Sequence, residues 1–151
     1  MTRPNPFMDA AFAQAEAAAA AGEVPIGAVV VDGATGEIVA RAGNRTIRDR
    51  DPTAHAELLV IRAAAAARGN ERLGDCDLYV TLEPCAMCAG AISFARIRRV
   101  YYAAADPKGG AVEHGPRLFR QPTCHHAPEV YGGIGEARAA ALLKAFFAGR
   151  R

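Results

Sequence analysis

Tryptophan is absent from the 151 residues, lysine occurs only twice among 18 basic residues, and there are only four cysteines. No apolar run approaches the ~18–20 residues needed to cross a bilayer, so no membrane partner is expected. The segment Met1–Phe7 is polar and proline-bearing, without the charged-then-apolar pattern of a secretion signal. Four cysteines without such a signal do not make a disulfide scaffold. The expected compartment is the reducing cytoplasm, where cysteines serve as metal ligands or core thiols. Basic and acidic residues number 18 and 16, which excludes a long acidic or basic tail. The 16 arginines suit phosphate contacts, and compositional bias accounts for them equally well. Hydrophobic residues make up 51%, yet 35 residues are alanine, so the core is smaller than that fraction suggests. The length fits one domain, residues 1–151.

Residues 7–21 are alanine-rich and predict a helix stopped by Gly22. Ile26–Val31 and Glu37–Ala42, joined by Asp32-Gly33-Ala34-Thr35-Gly36, predict a hairpin. Gly43–Pro52 reads as a loop. Thr53 is placed to cap a helix running to Arg68, before Gly69-Asn70. Leu78–Leu82 predicts a strand, residues 85–95 a helix opened by Pro84, and Arg99–Ala103 a strand. Asp106–Pro128 reads as one long loop and 136–148 as a last helix. A hairpin followed by alternating helices and strands predicts a three-layer α/β/α sandwich with a mixed sheet.

His55-Ala56-Glu57 opens one predicted helix, and Pro84-Cys85-Ala86-Met87-Cys88 opens another. Either motif alone has many uses. Together they form the H-x-E…P-C-x-x-C pattern of zinc nucleobase deaminases. Cys85 and Cys88 are three apart and share a helix face, at an N-terminus that favours thiolates. Two thiolates and an imidazole leave a fourth tetrahedral position open, the mark of a catalytic rather than a structural zinc site. Glu57, two residues from His55, is placed to move protons rather than to bind the metal. Cys124-His125-His126 are contiguous on the long loop, and adjacent side chains there rarely converge on one ion. They are expected to wall the active site rather than to form a second metal site.

Beyond this motif the chain resembles the bacterial tRNA-specific adenosine deaminase family over nearly its whole length. The resemblance lies in Gly22–Val30, Gly43-Asn44-Arg45, Asp51–Glu57, Leu78–Ile92, Ala95-Arg96-Ile97, Asp106–Gly110 and the Leu142–Arg151 terminus. It implies a cytidine-deaminase-like fold with a mixed five-stranded sheet, a homodimer, and one Zn2+ per subunit held by His55, Cys85 and Cys88. Glu57 is then the proton shuttle. The implied reaction is hydrolysis of adenosine to inosine at the wobble position of a tRNA anticodon stem-loop, chiefly of an arginine tRNA. Asn44 and Ala56 would contact the flipped base, Asp106 and Lys108 would lie along the RNA, and Phe146, Phe147 and Arg150 would meet the anticodon loop. Arg45, Arg48, Arg50, Arg150 and Arg151 are candidates for phosphate contacts. Val112–Val130 departs from the family's pattern. Two other functions share the metal motif: a free-base or nucleoside deaminase acting on guanine or cytosine, and a non-catalytic zinc-stabilised RNA-binding protein.

Overall fold

A computed structural model describes residues 5–150. Helix α1, Pro6–Ala20, begins with proline in its first position, while the Asn5 side chain accepts a hydrogen bond from the Met8 N–H at 3.0 Å. Strands β1, Gly27–Asp32, and β2, Ile38–Gly43, form the hairpin. Its turn is held by Asp32 Oδ1, which accepts from the Ala34 and Thr35 N–H groups, and is closed by Gly36 at φ 75°. Helix α2 is Ala56–Arg68, strand β3 Cys76–Leu82, helix α3 Ala86–Ala95 and strand β4 Arg99–Ala104. A single 3-10 turn at Leu118–Arg120, strand β5 at Glu129–Tyr131 and helix α4 at Glu136–Ala148 complete the order.

The five strands make one mixed sheet ordered β2-β1-β3-β4-β5. β1 is antiparallel to β2 and β3, while β3–β4 and β4–β5 are parallel. Alternating side chains divide the core between the sheet's faces. Ala28, Val30, Leu78, Val80, Val100 and Tyr102 pack toward α2 and α3. Val29, Val31, Tyr79 and Ala103 pack toward α1 and α4. This is the expected three-layer α/β/α architecture.

One expectation changes, and one expected strand is located. Helix α2 starts at Ala56 and its N-cap is His55, not Thr53. The Thr53 N–H and hydroxyl both donate to Asp51 Oδ1, forming a tight turn that delays the helix. The fifth strand, which the family resemblance implied, lies at Glu129–Tyr131, where no alternation marks it. Three residues are too few to display a period of two, and pairing with β4 defines the strand.

Gly27 is required by close approach rather than by its backbone angles. A Cβ there would overlap the Ala11 carbonyl oxygen and lie 2.5 Å from the Ala15 amide nitrogen. Gly27→Ala is therefore expected to force α1 off β1 and to lower unfolding free energy by about 3 kcal/mol. Denaturant titration of the metal-loaded protein reads this directly.

Candidate metal and active site

The metal-binding motif is assembled from two helix starts. His55 is the N-cap of α2 at φ −75°, ψ 149°, and Cys85 is the N-cap of α3 at φ −75°, ψ 177°. Neither side chain caps its own helix. The usual capping residues put an oxygen on the second or third N–H of the helix; here both side chains turn toward each other instead. Cys88, on the first turn of α3, completes the group. His55 Nδ1 lies 3.6 Å from Cys85 Sγ and 3.6 Å from Cys88 Sγ. All three candidate ligand atoms fall within 4.8 Å of one another.

Those distances test the donor set. Zn–S bonds of about 2.3 Å and Zn–N bonds of about 2.05 Å at a tetrahedral angle give a nitrogen–sulfur edge of about 3.6 Å. The two edges observed match it, so the residues fit a zinc ion with one position left for a non-protein ligand. Cys85 is pulled down to about 5, chiefly by the hydrogen bond from the Cys88 thiol, with the Cys88 backbone N–H and His55 also acting against burial. The same hydrogen bond, together with burial, pushes Cys88 up. Glu57 lies one residue inside α2 and is only 5% exposed. Burial, aided by the negative Cys85, pushes its carboxyl up to about 7, against its own backbone N–H, His55 and Cys88.

The other expected site residues fall into three groups. Asn44 is buried, its Nδ2 donating to Thr46 Oγ1 at 3.4 Å, and Ala56 is fully buried at the start of α2. The Arg45 N–H donates to the Ala54 carbonyl, which ties the Asn44 loop to the residue before His55. Asp106 Oδ1 accepts from the Lys108 and Gly109 N–H groups, forming a turn on which Lys108 is exposed. Phe146 and Phe147 lie in the last turn of α4 and Arg150 just after it, beyond Ala139 and Leu142, which pack against the sheet. The Arg150 guanidinium sits 4.0 Å over the Phe146 ring, and Phe147 is exposed. Of the arginines expected to meet phosphate, Arg48 is bound to Glu23 and to the Asn44 carbonyl, and Arg45 pairs with Asp49 at 2.9 Å. Arg151 lies outside the described residues.

Cys124, His125 and His126 do not wall the metal site as expected. The His126 N–H donates to Ser93 Oγ, its ring contacts the Ile97 carbonyl at 2.7 Å, and Cys124 Sγ lies 3.5 Å from Ser93 Oγ. They buckle the loop onto the far half of α3, two helical turns from Cys85. Among the described residues, His55, Cys85 and Cys88 are the one group placed for a metal.

Sequence reasoning missed two buried carboxylates. Glu23 is fully buried and accepts from the Ile47 and Arg48 N–H groups at 3.1 and 2.7 Å, which fastens the loop after Asn44. Glu83, immediately before Pro84-Cys85, fastens the segment after β4 in the same way. The only signal in the sequence is an acidic residue bordering an apolar strand.

Residues 1–104 match the family described as the cytidine and deoxycytidylate deaminase zinc-binding region. The chain is 58% identical to the tRNA-specific adenosine deaminase of Agrobacterium fabrum, over all of this chain and 98% of that one. It is 44% identical to the tRNA-specific adenosine deaminase of Bacillus subtilis, over 97% of this chain and 90% of that protein. A solved structure from a study of A-to-I editing by tRNA:A34 deaminases at the wobble position of transfer RNA superimposes with a TM-score of 0.89. It is 61% identical and covers 91% of this chain and 99% of that one.

Burial raises the pKa of Glu23, but its N–H donors and the Arg48 guanidinium bring it below the usual 4.5. A depressed carboxylate stabilises the fold above its unfolded pKa, and that stability is lost as pH falls through the folded value. Glu23→Gln is therefore expected to lower unfolding free energy by about 1–3 kcal/mol near neutrality. The difference from wild type should shrink as pH falls below 4.5. Chemical denaturation of both proteins at several pH values checks the sign; a gap that is constant with pH contradicts it.

Proposed function

The chain belongs to the tRNA-specific adenosine deaminase family, within the cytidine and deoxycytidylate deaminases, and on that premise we propose that it edits adenosine to inosine at the wobble position of a tRNA anticodon. The observation that carries the reading is the convergence of His55, Cys85 and Cys88, with Glu57 buried one residue after Ala56. The whole chain, 1–151, serves as one deaminase domain, and the resemblance noted above points to an arginine tRNA as the chief substrate. The compartment is the cytoplasm, where tRNA is found. Among the described residues no helix is long and apolar enough to cross a membrane.

The reaction adds water to C6 of adenine and releases ammonia, leaving a C6 carbonyl. His55, Cys85 and Cys88 hold the zinc. When bound, zinc supplies a Lewis acid that makes water nucleophilic near neutral pH. Glu57 accepts a proton from the attacking water, delivers it to N1 of the ring, and then moves a proton to the leaving amine. Its burial keeps bulk water from competing for those protons. Asn44 and the Ala56 backbone hold the flipped base, which is cheaper to extrude from a loop than from a duplex. Asp106 shapes the turn that presents Lys108 to the RNA, and Phe146, Phe147 and Arg150 meet the anticodon loop. Arg45 and Arg50 face solvent and supply phosphate contacts that position rather than discriminate.

The active unit is a homodimer. On α3, Met87, Gly90, Ala91 and Phe94 form one stripe, with Met87 36% and Phe94 69% exposed. An exposed phenylalanine flanked by small residues on a helix face supports a second copy as its cover. Phe94→Glu should shift the zinc-loaded protein from dimer to monomer in sedimentation velocity. An unchanged dimer would place the interface elsewhere.

Incubation with total bacterial tRNA, followed by sequencing for inosine, tests the reaction and names the tRNAs; ammonia released from free guanine or cytosine but not from tRNA would overturn it. Glu57→Ala should retain one zinc per chain while kcat falls by about a thousandfold, within the range for removal of a general acid–base. Cys88→Ala should lose the metal and melt at lower temperature. Metal analysis beside turnover separates the two roles.

A further inference from the structure

Glu83 stands two residues before Cys85, is 2% exposed, and gathers five polar contacts from one stretch of chain. Its Oε1 accepts from the Asp106 N–H at 3.0 Å and meets His114 Nδ1 at 2.7 Å. Its Oε2 accepts from the consecutive N–H groups of Val112, Glu113 and His114 at 3.1, 3.0 and 3.1 Å. Successive amides aimed at one oxygen form an anion nest, here filled by the protein's own carboxylate. The neighbouring bonds run to the same place: the Ala111 N–H donates to the Pro84 carbonyl, and the Glu83 N–H to that of Ala104. Space is equally tight, since a Cβ on Gly110 would lie 2.5 Å from Glu83 Cδ and Oε2.

We infer that Glu83 is a positioning residue for the deamination: it fixes where segment 106–114, with Asp106 and Lys108, sits relative to the metal-ligand end of α3. The inference rests on the reading of Asp106 and Lys108 as RNA contacts. Cys85 and Glu83 are held by the same short stretch of backbone, so the carboxylate transmits the position of the ligand to the segment that meets the substrate. The chemistry requires a carboxylate. Glutamine has one acceptor oxygen, and its amide group is a donor. Turned one way, that donor faces three backbone N–H groups; turned the other way, it faces the Asp106 N–H and the His114 ring. Either orientation leaves at least one buried N–H without an acceptor.

The test compares zinc-loaded wild type, Glu83→Gln and His114→Ala by metal analysis, amide hydrogen exchange, and kcat and KM on an anticodon stem-loop. Glu83→Gln should keep one zinc per chain, while the amides of 112–114 exchange about tenfold faster, the equivalent of about one net hydrogen bond. Amides of α2 and β3 should be unchanged. KM should rise by about tenfold with kcat held within about threefold, because binding rather than the chemical step loses its support. His114→Ala leaves the backbone nest in place and should speed exchange in the same segment by about threefold, so it decides the matter if Glu83→Gln does not fold. Unchanged exchange at 112–114, loss of zinc, or a fall in kcat at constant KM would overturn the assignment. A wild-type protein inactive on tRNA would defeat the functional reading alone, since the exchange measurement still decides whether Glu83 fixes the segment.

Discussion

Every α-helix begins with N–H groups that lack intrahelical partners and carry a positive partial charge. In this protein α2 and α3 aim two such ends at one point, and their N-cap residues, His55 and Cys85, turn away from their own helices to meet there. That arrangement is unfavourable unless negative charge occupies the space between. Cys85 supplies it: the hydrogen bond from the Cys88 thiol, the Cys88 backbone N–H and His55 together hold it down to about 5 against burial. Two thiolates balance a divalent zinc, and the helix ends add a positive field that favours negative charge developing on an attacking oxygen. The sheet's α2–α3 face, the early turn at Asp51–Thr53 and the abrupt start of α3 after Pro84 all serve this meeting of helix ends.

The same arrangement explains which parts of the sequence could be read. The convergence of His55, Cys85 and Cys88 was legible because a metal demands particular residue types at fixed spacing. The four longer strands and the four α-helices were legible from short apolar runs, alanine-rich stretches and the Gly and Pro residues that bound them. The start of α2 was misplaced because Thr53 is a better N-cap by preference than His55, and only the demand for a metal ligand makes histidine the cap. Strand β5 carries no pattern of its own; Glu129 and Tyr131 are exposed, and the strand exists through pairing with Arg99–Tyr101. The role assigned to Cys124-His125-His126 failed for a related reason. Loop composition says what a residue can bind, while its placement depends on Ser93 and Ile97, some thirty residues earlier.

Glu23 and Glu83 were illegible for a third reason. Most of their partners are backbone N–H groups, which every residue except proline offers, and the one side-chain partner of each, Arg48 for Glu23 and His114 for Glu83, lies more than twenty residues away in the chain. Burying a charge is costly unless it is fully hydrogen-bonded, and both carboxylates meet that condition by collecting donors from loops far away in the chain. No buried side-chain oxygen or nitrogen among the described residues lacks a partner. Each carboxylate thereby makes a rigid edge to the site out of a segment with little regular structure.

This reliance on backbone donors resolves an apparent conflict around Val112–Val130, where the sequence departs from the family pattern although the segment begins beside the metal centre. The Val112 and Glu113 amides reach Glu83 whatever side chains those positions carry, so the path of the chain can persist while its composition changes. Farther along, the segment leaves the metal ligands and docks on the distal half of α3, where substitutions cannot disturb His55, Cys85 or Cys88. Helix α4 has a similar independence. Only Ala139 among its residues is fully buried, and Phe147 remains in solvent. The metal ligands are thus held by core strands and two helix ends, while segment 106–114 is joined to that core chiefly by main-chain bonds and α4 by a few apolar contacts.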